Sequence, residues 1–204
     1  MNMSERIWAA ALRAQAIETD ALSKGFSSLD RVQFERAVDA LAKAPRIATS
    51  GCGHTGIVCM HMAHLLCCIE RPARFLSPSE AIHGGMGYLL PGDVMVLASR
   101  GGKTAELLPI LAFCGHRGVT TIAVTENAAS PLAQGSDIVL LLSITKEADP
   151  FNSQGTSSFT VTSVLFDALQ SALIEVTGFH TGQFAKTHPG GAVGERLKRE
   201  HQGQ

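Results

Sequence analysis

Apolar residues recur at helical spacing in two segments at the start of the chain. The first runs from Met1 to Lys24 and the second from Asp30 to Ala42, and in both the apolar side chains return every three or four positions. Pro45 ends the second segment, because proline cannot continue a helix. We therefore predict two helices within residues 1–44, ahead of the first strand.

After Pro45, short β-rich runs alternate with helical stretches. The predicted strands are Arg46–Ser50, Ala73–Leu76, Asp93–Ser99, Val119–Thr125 and Ile138–Ser143, and the predicted helices are Ile57–Ile69, Ser79–His83, Ala105–His116, a short one within Glu126–Gly135, and Phe159–Thr177. This alternation predicts an α/β fold over residues 45–177, with a mostly parallel sheet covered by helices on both faces. Residues 178–204 are a Gly- and His-rich tail, for which one helical turn is predicted near the end.

Composition fits one domain with no nucleic-acid or membrane partner. A chain of 204 residues with 45% hydrophobic content can bury one core. The net charge is -1 and the cations form no cluster, which argues against nucleic-acid binding. The apolar stretches are only strand-length, and the N-terminus lacks the apolar region of a signal peptide. We expect a soluble, cytoplasmic protein.

The cysteines favour packing over metal binding. There are five, without zinc-ribbon spacing, at Cys52, Cys59, Cys67, Cys68 and Cys114. Reduced thiols are the favoured interpretation, since a free cysteine behaves as a small buried hydrophobe. His61 and His64 share a helix with Cys67 and Cys68, but the apolar neighbours of this cluster favour a packed surface over a soft-metal site. We expect neither a metal nor a cofactor.

The loop after the first predicted strand has a glycine pattern. Gly51-x-Gly53-x-x-Gly56 has the spacing of a dinucleotide-binding loop. However, that site also needs an acidic residue at the end of the next strand, where Ser77-Pro78-Ser79 stands instead. NAD binding is therefore disfavoured.

Two later loops have the chemistry of a phosphate site. Ser99-x-Gly-Gly-x-Thr104 combines hydroxyls and unencumbered N–H groups at a predicted helix start, and Gly155-Thr156-Ser157-Ser158 repeats that chemistry before the last helix. An ordinary helix cap would explain the first loop, but it would leave Arg100 and Lys103 without partners. Hydroxyl-rich loops at the carboxyl ends of several strands together favour a phosphate-monoester ligand.

Seven segments, in order, resemble the SIS (sugar isomerase) domain, and most closely the arabinose 5-phosphate isomerases. They are Thr49–Gly56, Ser79–Gly84, Leu90–Val94, Ser99–Glu106, Lys146–Pro150, Thr156–Ser158 and Thr187–Gly191. The resemblance covers nearly the whole chain and implies a single domain over residues 1–204. It implies a five-stranded parallel sheet in a three-layer, Rossmann-like sandwich, assembled as a homodimer or homotetramer with sites near subunit interfaces. Those enzymes often continue into paired CBS modules, and we expect the bare isomerase domain here, with 178–204 as an active-site tail.

The resemblance also implies roles for individual residues. The phosphate of a sugar would be bound by Ser50, Gly51, Gly53, Thr55, Ser99, Arg100, Gly101, Thr104, Thr156 and Ser157. Aldose–ketose interconversion needs a base that moves a proton between C1 and C2, and acids that open the ring and polarise the carbonyl. His83, Glu147 and His188 stand where the family has such groups. A purely structural role for each is a turn cap at His83, an ion pair of Glu147 with Lys146, and a loop shaped by His188.

The sequence departs from the family pattern at two loops. The first typically has Gly-x-Gly-Lys-Ser-Gly, where this chain has His54 and Thr55; the second typically has Ser-x-Ser-Gly-Glu-Thr, where this chain has Gly101 and Lys103. A lysine lost from one loop and gained in the other would keep one ammonium near the substrate, so His54 and Lys103 join the catalytic candidates. Arg100 and Lys103 together suggest either a substrate with extra negative charge, such as a sugar-acid phosphate, or a different phosphosugar bound in another orientation.

Three functions remain open on the sequence alone. The first is a phosphosugar aldose–ketose isomerase that works through an enediol intermediate. The second is a sugar-phosphate-binding regulatory module without catalysis, which the changes at His54 and Lys103 would explain. The third is a lyase or epimerase of a phosphorylated sugar acid. Retention of Glu147, His83 and His188 favours an enzyme, whereas the identity of the sugar depends on pocket geometry.

Overall fold

The structure, a computed structural model, describes residues 1–202, apart from the side chains at positions 198, 201 and 202. The strands are β1 (Ile47–Ser50), β2 (Ala73–Phe75), β3 (Val94–Ala98), β4 (Thr120–Thr125) and β5 (Ile138–Leu141). The helices are α1 (Met3–Lys24), α2 (Arg31–Lys43), α3 (Gly53–Cys68), α4 (Pro78–Ile82), α5 (Leu108–Arg117), α6 (Pro131–Gly135), α7 (Ser157–Thr177), α8 (Thr181–Thr187) and α9 (Gly191–Gln202).

The five strands form one parallel sheet in the order β2-β1-β3-β4-β5. The chain passes from β1 outward to β2 and then returns to pair β3 with β1. The loops that follow β1 and β3 therefore leave the sheet in opposite directions, and in open α/β sheets ligands bind in the crevice at such a reversal. The predicted five-stranded parallel sheet is confirmed.

The two faces of the sheet carry separate cores because strand side chains alternate. Val94 and Val96 point into a core shared with α1, α2, α3 and α7, whereas Met95 and Leu97 point into a core shared with α4, α5 and α6. All five residues of β3 are buried, as expected for a central strand covered on both faces. The predicted three-layer arrangement is confirmed.

Within the described residues, α7 is the one helix long and apolar enough to cross a membrane, with a mean hydropathy of 1.3 over its best window. The core helix of a globular protein meets the same criterion. Leu165, Phe166 and Leu169 of α7 are buried in the core beside α1, α2 and α3.

Three predicted helical segments differ from the structure. The helix after β1 begins at Gly53 rather than Ile57, so part of the predicted glycine loop is helical. The helix after β3 begins at Leu108 rather than Ala105, because residues 101–106 are held in turns and Pro109 suits a first helical turn. The tail forms two helices, α8 and α9, rather than one turn. His180 caps α8 by accepting a hydrogen bond from Gly182 N. Helix α9 is held by Leu197, whose side chain is buried.

Candidate functional site

A pocket of about 230 Å³ opens at the carboxyl edge of the sheet, at the reversal between β1 and β3. It is bordered by the first turn of α3, the ends of β3 and β4, the segment after β5 and the start of α7. Its polar lining comprises His54, Thr55, Ser99, Arg100, Thr125, Glu126, Glu147, Ser153, Ser158 and Thr162, and its apolar lining comprises Val58, Ala98, Val124, Leu142, Ile144, Gly155 and Phe159. The carboxyl ends of parallel strands meet at one edge, so the pocket gathers residues far apart in the chain.

The loop after β3 is shaped by its own hydroxyls. The hydroxyls of Ser99 and Thr104 share a hydrogen bond of 2.8 Å, and Ser99 Oγ also accepts one from Gly102 N at 3.1 Å. Gly102 has a φ of +65°, and a Cβ at this position would collide with Ser130. Only glycine fits both conditions. This tight turn brings Ser99 and Thr104 together, as the spacing predicts.

Arg100 is not without partners, which corrects an expectation from the sequence. Its Nε donates to Glu126 Oε2 at 2.6 Å and its Nη1 donates to Glu147 Oε1 at 2.7 Å. Sequence reasoning missed Glu126. The available signal was its position directly after β4, at the same edge as Ser99. Because two carboxylates balance the one guanidinium, Arg100 adds no surplus positive charge to the pocket.

Glu147 is an ionised carboxylate in a buried position. It is 1% exposed, and it contacts Arg100 rather than Lys146. Its Oε2 accepts hydrogen bonds from Thr156 N at 2.9 Å, Thr156 Oγ1 at 3.1 Å and Ser158 N at 3.1 Å. Burial opposes ionisation, but the hydrogen bonds from Ser158 and Thr156 and the charge of Arg100 outweigh that cost and lower the pKa of Glu147.

The N-terminus of α7 is therefore occupied by a side chain of the same chain. Thr156 and Ser158 donate to Glu147 the backbone N–H groups that the sequence assigned to phosphate, and Thr156 Oγ1 also accepts from Ala148 N at 2.7 Å. Ser157 does not line the pocket, and its buried hydroxyl lacks a hydrogen-bond partner within residues 1–202. The same is true of Ser50 at the end of β1.

The loop after β1 faces two spaces. His54 and Thr55 line the pocket, whereas Gly51 and Gly53 face a neighbouring groove that also contains Glu106. His54 lies against Gly155, where an added Cβ would be 2.9 Å from His54 Cβ. The first and last loops of the site thus touch, and a side chain at position 155 would fit only if His54 moved.

Three predicted catalytic residues lie outside the pocket. Lys103 is exposed on the loop after β3, and His83 is exposed at the end of α4. His188 ends α8 and its ring lies 4.8 Å from that of Phe184. Thr187 Oγ1 donates to Cys68 O, at the far end of α3 from His54. A helix of 16 residues is about 24 Å long, so His188 does not reach the pocket of its own chain.

The histidine and cysteine side chains of α3 form two separate pairs. His61 lies 3.5 Å from Asp167, and His64 Nε2 lies 3.7 Å from Cys68 Sγ. No group of three or more His, Cys, Asp or Glu side chains converges as metal ligands among the residues that the structure describes.

Curated relatives align with nearly the whole chain. The chain is 40% identical to arabinose 5-phosphate isomerase KdsD of Pseudomonas aeruginosa, over 97% of this chain and 61% of that protein. It is 35% identical to KdsD of Francisella tularensis, over 92% of this chain and 58% of that protein. The chain thus spans about three fifths of the length of these curated relatives.

Solved structures agree with the fold. A Listeria monocytogenes protein superposes with a TM-score of 0.89 and 35% identity, over 93% of this chain and 100% of that one. An Escherichia coli CFT073 protein in complex with arabinose 5-phosphate superposes with a TM-score of 0.86 and 28% identity, over the same shares. Residues 40–172 match the model of the SIS domain. The resemblance noted in the sequence is confirmed, and the chain belongs to the SIS domain family.

Proposed function

We propose that this protein is a phosphosugar aldose–ketose isomerase, similar to the arabinose 5-phosphate isomerases, that works through an enediol intermediate. The observation that carries the proposal is the ionised, buried carboxylate of Glu147 in a pocket that also holds the hydroxyls of Thr55 and Ser99. The carboxylate suits proton transfer at the sugar carbons, and the hydroxyl-rich edge suits the phosphate.

The chemistry requires two proton transfers that balance. A base removes the proton from C2 of the open aldose while the C1 carbonyl oxygen gains one, which gives the enediol. The C2 hydroxyl then loses its proton as C1 gains one, which gives the ketose. Of the candidate bases, Glu147 and His54 line the pocket and His83 does not. We assign the carbon proton to Glu147 and the oxygen protons to His54.

The phosphate is assigned to the loops after β1 and β3. Thr55 lies in the first turn of α3, where backbone N–H groups lack intrahelical partners. Ser99 lies across the pocket, in contact with Thr104. The N-terminus of α7, by contrast, already holds Glu147. With Arg100 balanced and Lys103 outside the pocket, the charges favour a neutral sugar phosphate over a sugar-acid phosphate.

A homodimer or homotetramer accounts for the residues outside the pocket. His83 and His188 belong to motifs of the family but do not line the pocket of their own chain. The first half of α1 supports this assembly, because Met3, Ile7 and Trp8 are each at least 65% exposed on it. We infer that a second copy covers this surface and that His83 or His188 serves the pocket of another copy.

We also propose a cytoplasmic location. All five cysteines lie in the described part of the chain and are free thiols, of which Cys59 and Cys114 are buried. Unpaired cysteines are typical of a reducing compartment.

Solvent-deuterium incorporation at C2 of the aldose and at C1 of the ketose tests the proposed function. Aldose and ketose phosphates, with arabinose 5-phosphate and ribulose 5-phosphate first, are incubated with the protein in D2O and followed by NMR. We expect exchange with the wild type and its loss in Glu147→Gln. Tight binding of a sugar phosphate without exchange would refute the isomerase and favour the regulatory module. Mixing inactive His188→Ala with inactive Glu147→Gln should restore activity if His188 serves another copy.

A further inference from the structure

The side chain of Arg100 spans two carboxylates that lie far apart in the sequence. Glu126 is 26 residues away and Glu147 is 47 residues away, and both bonds are short, at 2.6 and 2.7 Å. The three side chains differ in exposure: Arg100 is 39% exposed, Glu126 is 23% exposed and Glu147 is 1% exposed. Both carboxylates line the pocket with the guanidinium, and Glu147 is the more buried of the two.

Arg100 is itself fixed by residues at the end of β4. Its carbonyl oxygen accepts hydrogen bonds from Thr125 Oγ1 at 2.9 Å and from Glu126 N at 3.0 Å. The carboxylate of Glu126 is fixed in turn, since its Oε1 accepts from Ile144 N at 2.8 Å. The backbone and the side chain of Arg100 are therefore both held by contacts other than the one with Glu147. These contacts fix the direction in which the guanidinium points.

The two oxygens of Glu147 have different supports. Oε2 is held by Thr156 and Ser158 at the start of α7, whereas Arg100 is the partner of Oε1 in the hydrogen bonds of the described residues. Without Arg100, Oε1 would be a buried acceptor with a second carboxylate, Glu126, nearby. Both changes would favour the protonated form of Glu147.

We propose that Arg100, fixed by Glu126, is a positioning residue that keeps Glu147 ionised and directs its Oε1 toward the pocket, rather than a ligand of the phosphate. The inference rests on the proposed function, because it gives Glu147 its task in proton transfer. It also replaces the expectation that Lys103 compensates for the lysine that His54 replaces. Lys103 lies outside the pocket, and the cation that lines it is Arg100.

The charged and titratable groups that line the pocket with Glu147 are Arg100, Glu126 and His54. The first test measures the titration of Glu147 separately from that of the other groups, by carbon-13 NMR of protein labelled at the glutamate carboxyl carbons. This label does not report on the imidazole of His54. The Glu147 signal is the one missing in Glu147→Gln. We expect Arg100→Gln to raise the pKa of Glu147 by about one unit or more. An unchanged pKa overturns the inference.

The second test is the division of the effect between kcat and KM. A positioning role predicts that Arg100→Gln lowers kcat at least about tenfold while KM changes less than about twofold. A raised KM with unchanged kcat would instead identify Arg100 as a phosphate ligand and overturn the inference. Arg31→Gln is the matched control, because Arg31 forms an exposed ion pair with Glu35 on α2 and should leave both constants unchanged.

Two other results, an unfolded Arg100→Gln variant and an inactive wild type, have their own decisive measurement. If Arg100→Gln does not fold, Arg100→Lys replaces it: one ammonium cannot span both carboxylates, so kcat should fall with KM retained, and a wild-type kcat overturns the inference. If the wild type shows no isomerase activity, the proposed function fails, and the NMR titration alone decides whether Arg100 controls the ionisation of Glu147.

Discussion

The two long helices that border the pocket begin in different ways. At α7, the first turn is filled by the carboxylate of Glu147, which accepts hydrogen bonds from Thr156 N and Ser158 N. At α3, the flanking residue Cys52 makes no side-chain capping bond within the described structure, and Thr55 of the first turn faces the pocket. Both helix starts attract anions, but one is already satisfied. This difference supports our proposal that the substrate's phosphate binds at α3, since the start of α7 already holds a carboxylate.

The largest expected effect comes from removing the anion at α7. Glu147→Ala leaves two backbone donors and Arg100 Nη1 without their partner, while Arg100 Nε keeps Glu126. Breaking a buried ion pair costs about 3 to 5 kcal/mol of unfolding free energy. Urea unfolding measures this loss. Inorganic phosphate should then stabilise Glu147→Ala more than the wild type, because α7 is open to an anion. Equal stabilisation of the two proteins would show that removal of Glu147 does not open the N-terminus of α7 to phosphate.

The next largest effect concerns the donors at α3. Thr55→Val removes a hydroxyl that we assign to the phosphate, and a hydrogen bond to a charged group is worth about 1.5 to 3 kcal/mol. KM should therefore rise about 10- to 100-fold. Thr55→Ser is the control, since it keeps the hydroxyl and should stay close to wild type. An unchanged KM in Thr55→Val would remove Thr55 from the phosphate site.

A smaller effect is expected where the loop after β3 packs against Ser130 at the start of α6. Gly102→Ala introduces strain at a positive φ and a collision with Ser130, at a cost of about 1 to 3 kcal/mol in stability. Gly101→Ala next to it has open space and an ordinary φ, so it should be nearly neutral. Thermal unfolding of the two variants compares them directly, and similar losses in both would contradict this account of the turn.

The smallest effect is the pH dependence of stability. Because the folded state lowers the pKa of Glu147, its contribution is fully present above the ordinary glutamate pKa of about 4.3 and is lost as pH falls through the folded value. Between pH 6 and pH 3 the wild type should therefore lose more unfolding free energy than Glu147→Gln. Parallel curves for the two proteins, measured in urea at each pH, would contradict the lowered pKa.

The sheet and half of the site follow from local sequence patterns. The strands β1 and β3 are buried on both faces, and the loops after them share one edge, so His54, Thr55 and Ser99 were expected near one another. Glu126 and its bond to Arg100 were not, because no local pattern links a carboxylate to a guanidinium 26 residues away. The helix α8 was missed for another reason: its cap is His180, and histidine is not a usual capping residue.

Sequence reasoning also failed to predict that His83 and His188 lie outside the pocket, for a different reason. Their motifs are specific, but motifs do not state which chain a residue serves. Sequence reasoning placed the sites near subunit interfaces without separating one chain's residues from another's. The distance along α3 shows that His188 lies away from the pocket of its own chain, because Thr187 is bound at the far end of the helix that begins beside His54; its service to another copy is our proposal.

The contact between Gly155 and His54 offers one position at which the shape of the pocket can be altered by substitution. A side chain at position 155 would press directly on His54, so alanine and then serine would require an increasing displacement of the imidazole, which lines the pocket. The next residue, Thr156, donates to Glu147, so the same position lies one peptide unit from the support of the carboxylate. Position 155 therefore couples the shape of the His54 wall to the place of the charged group.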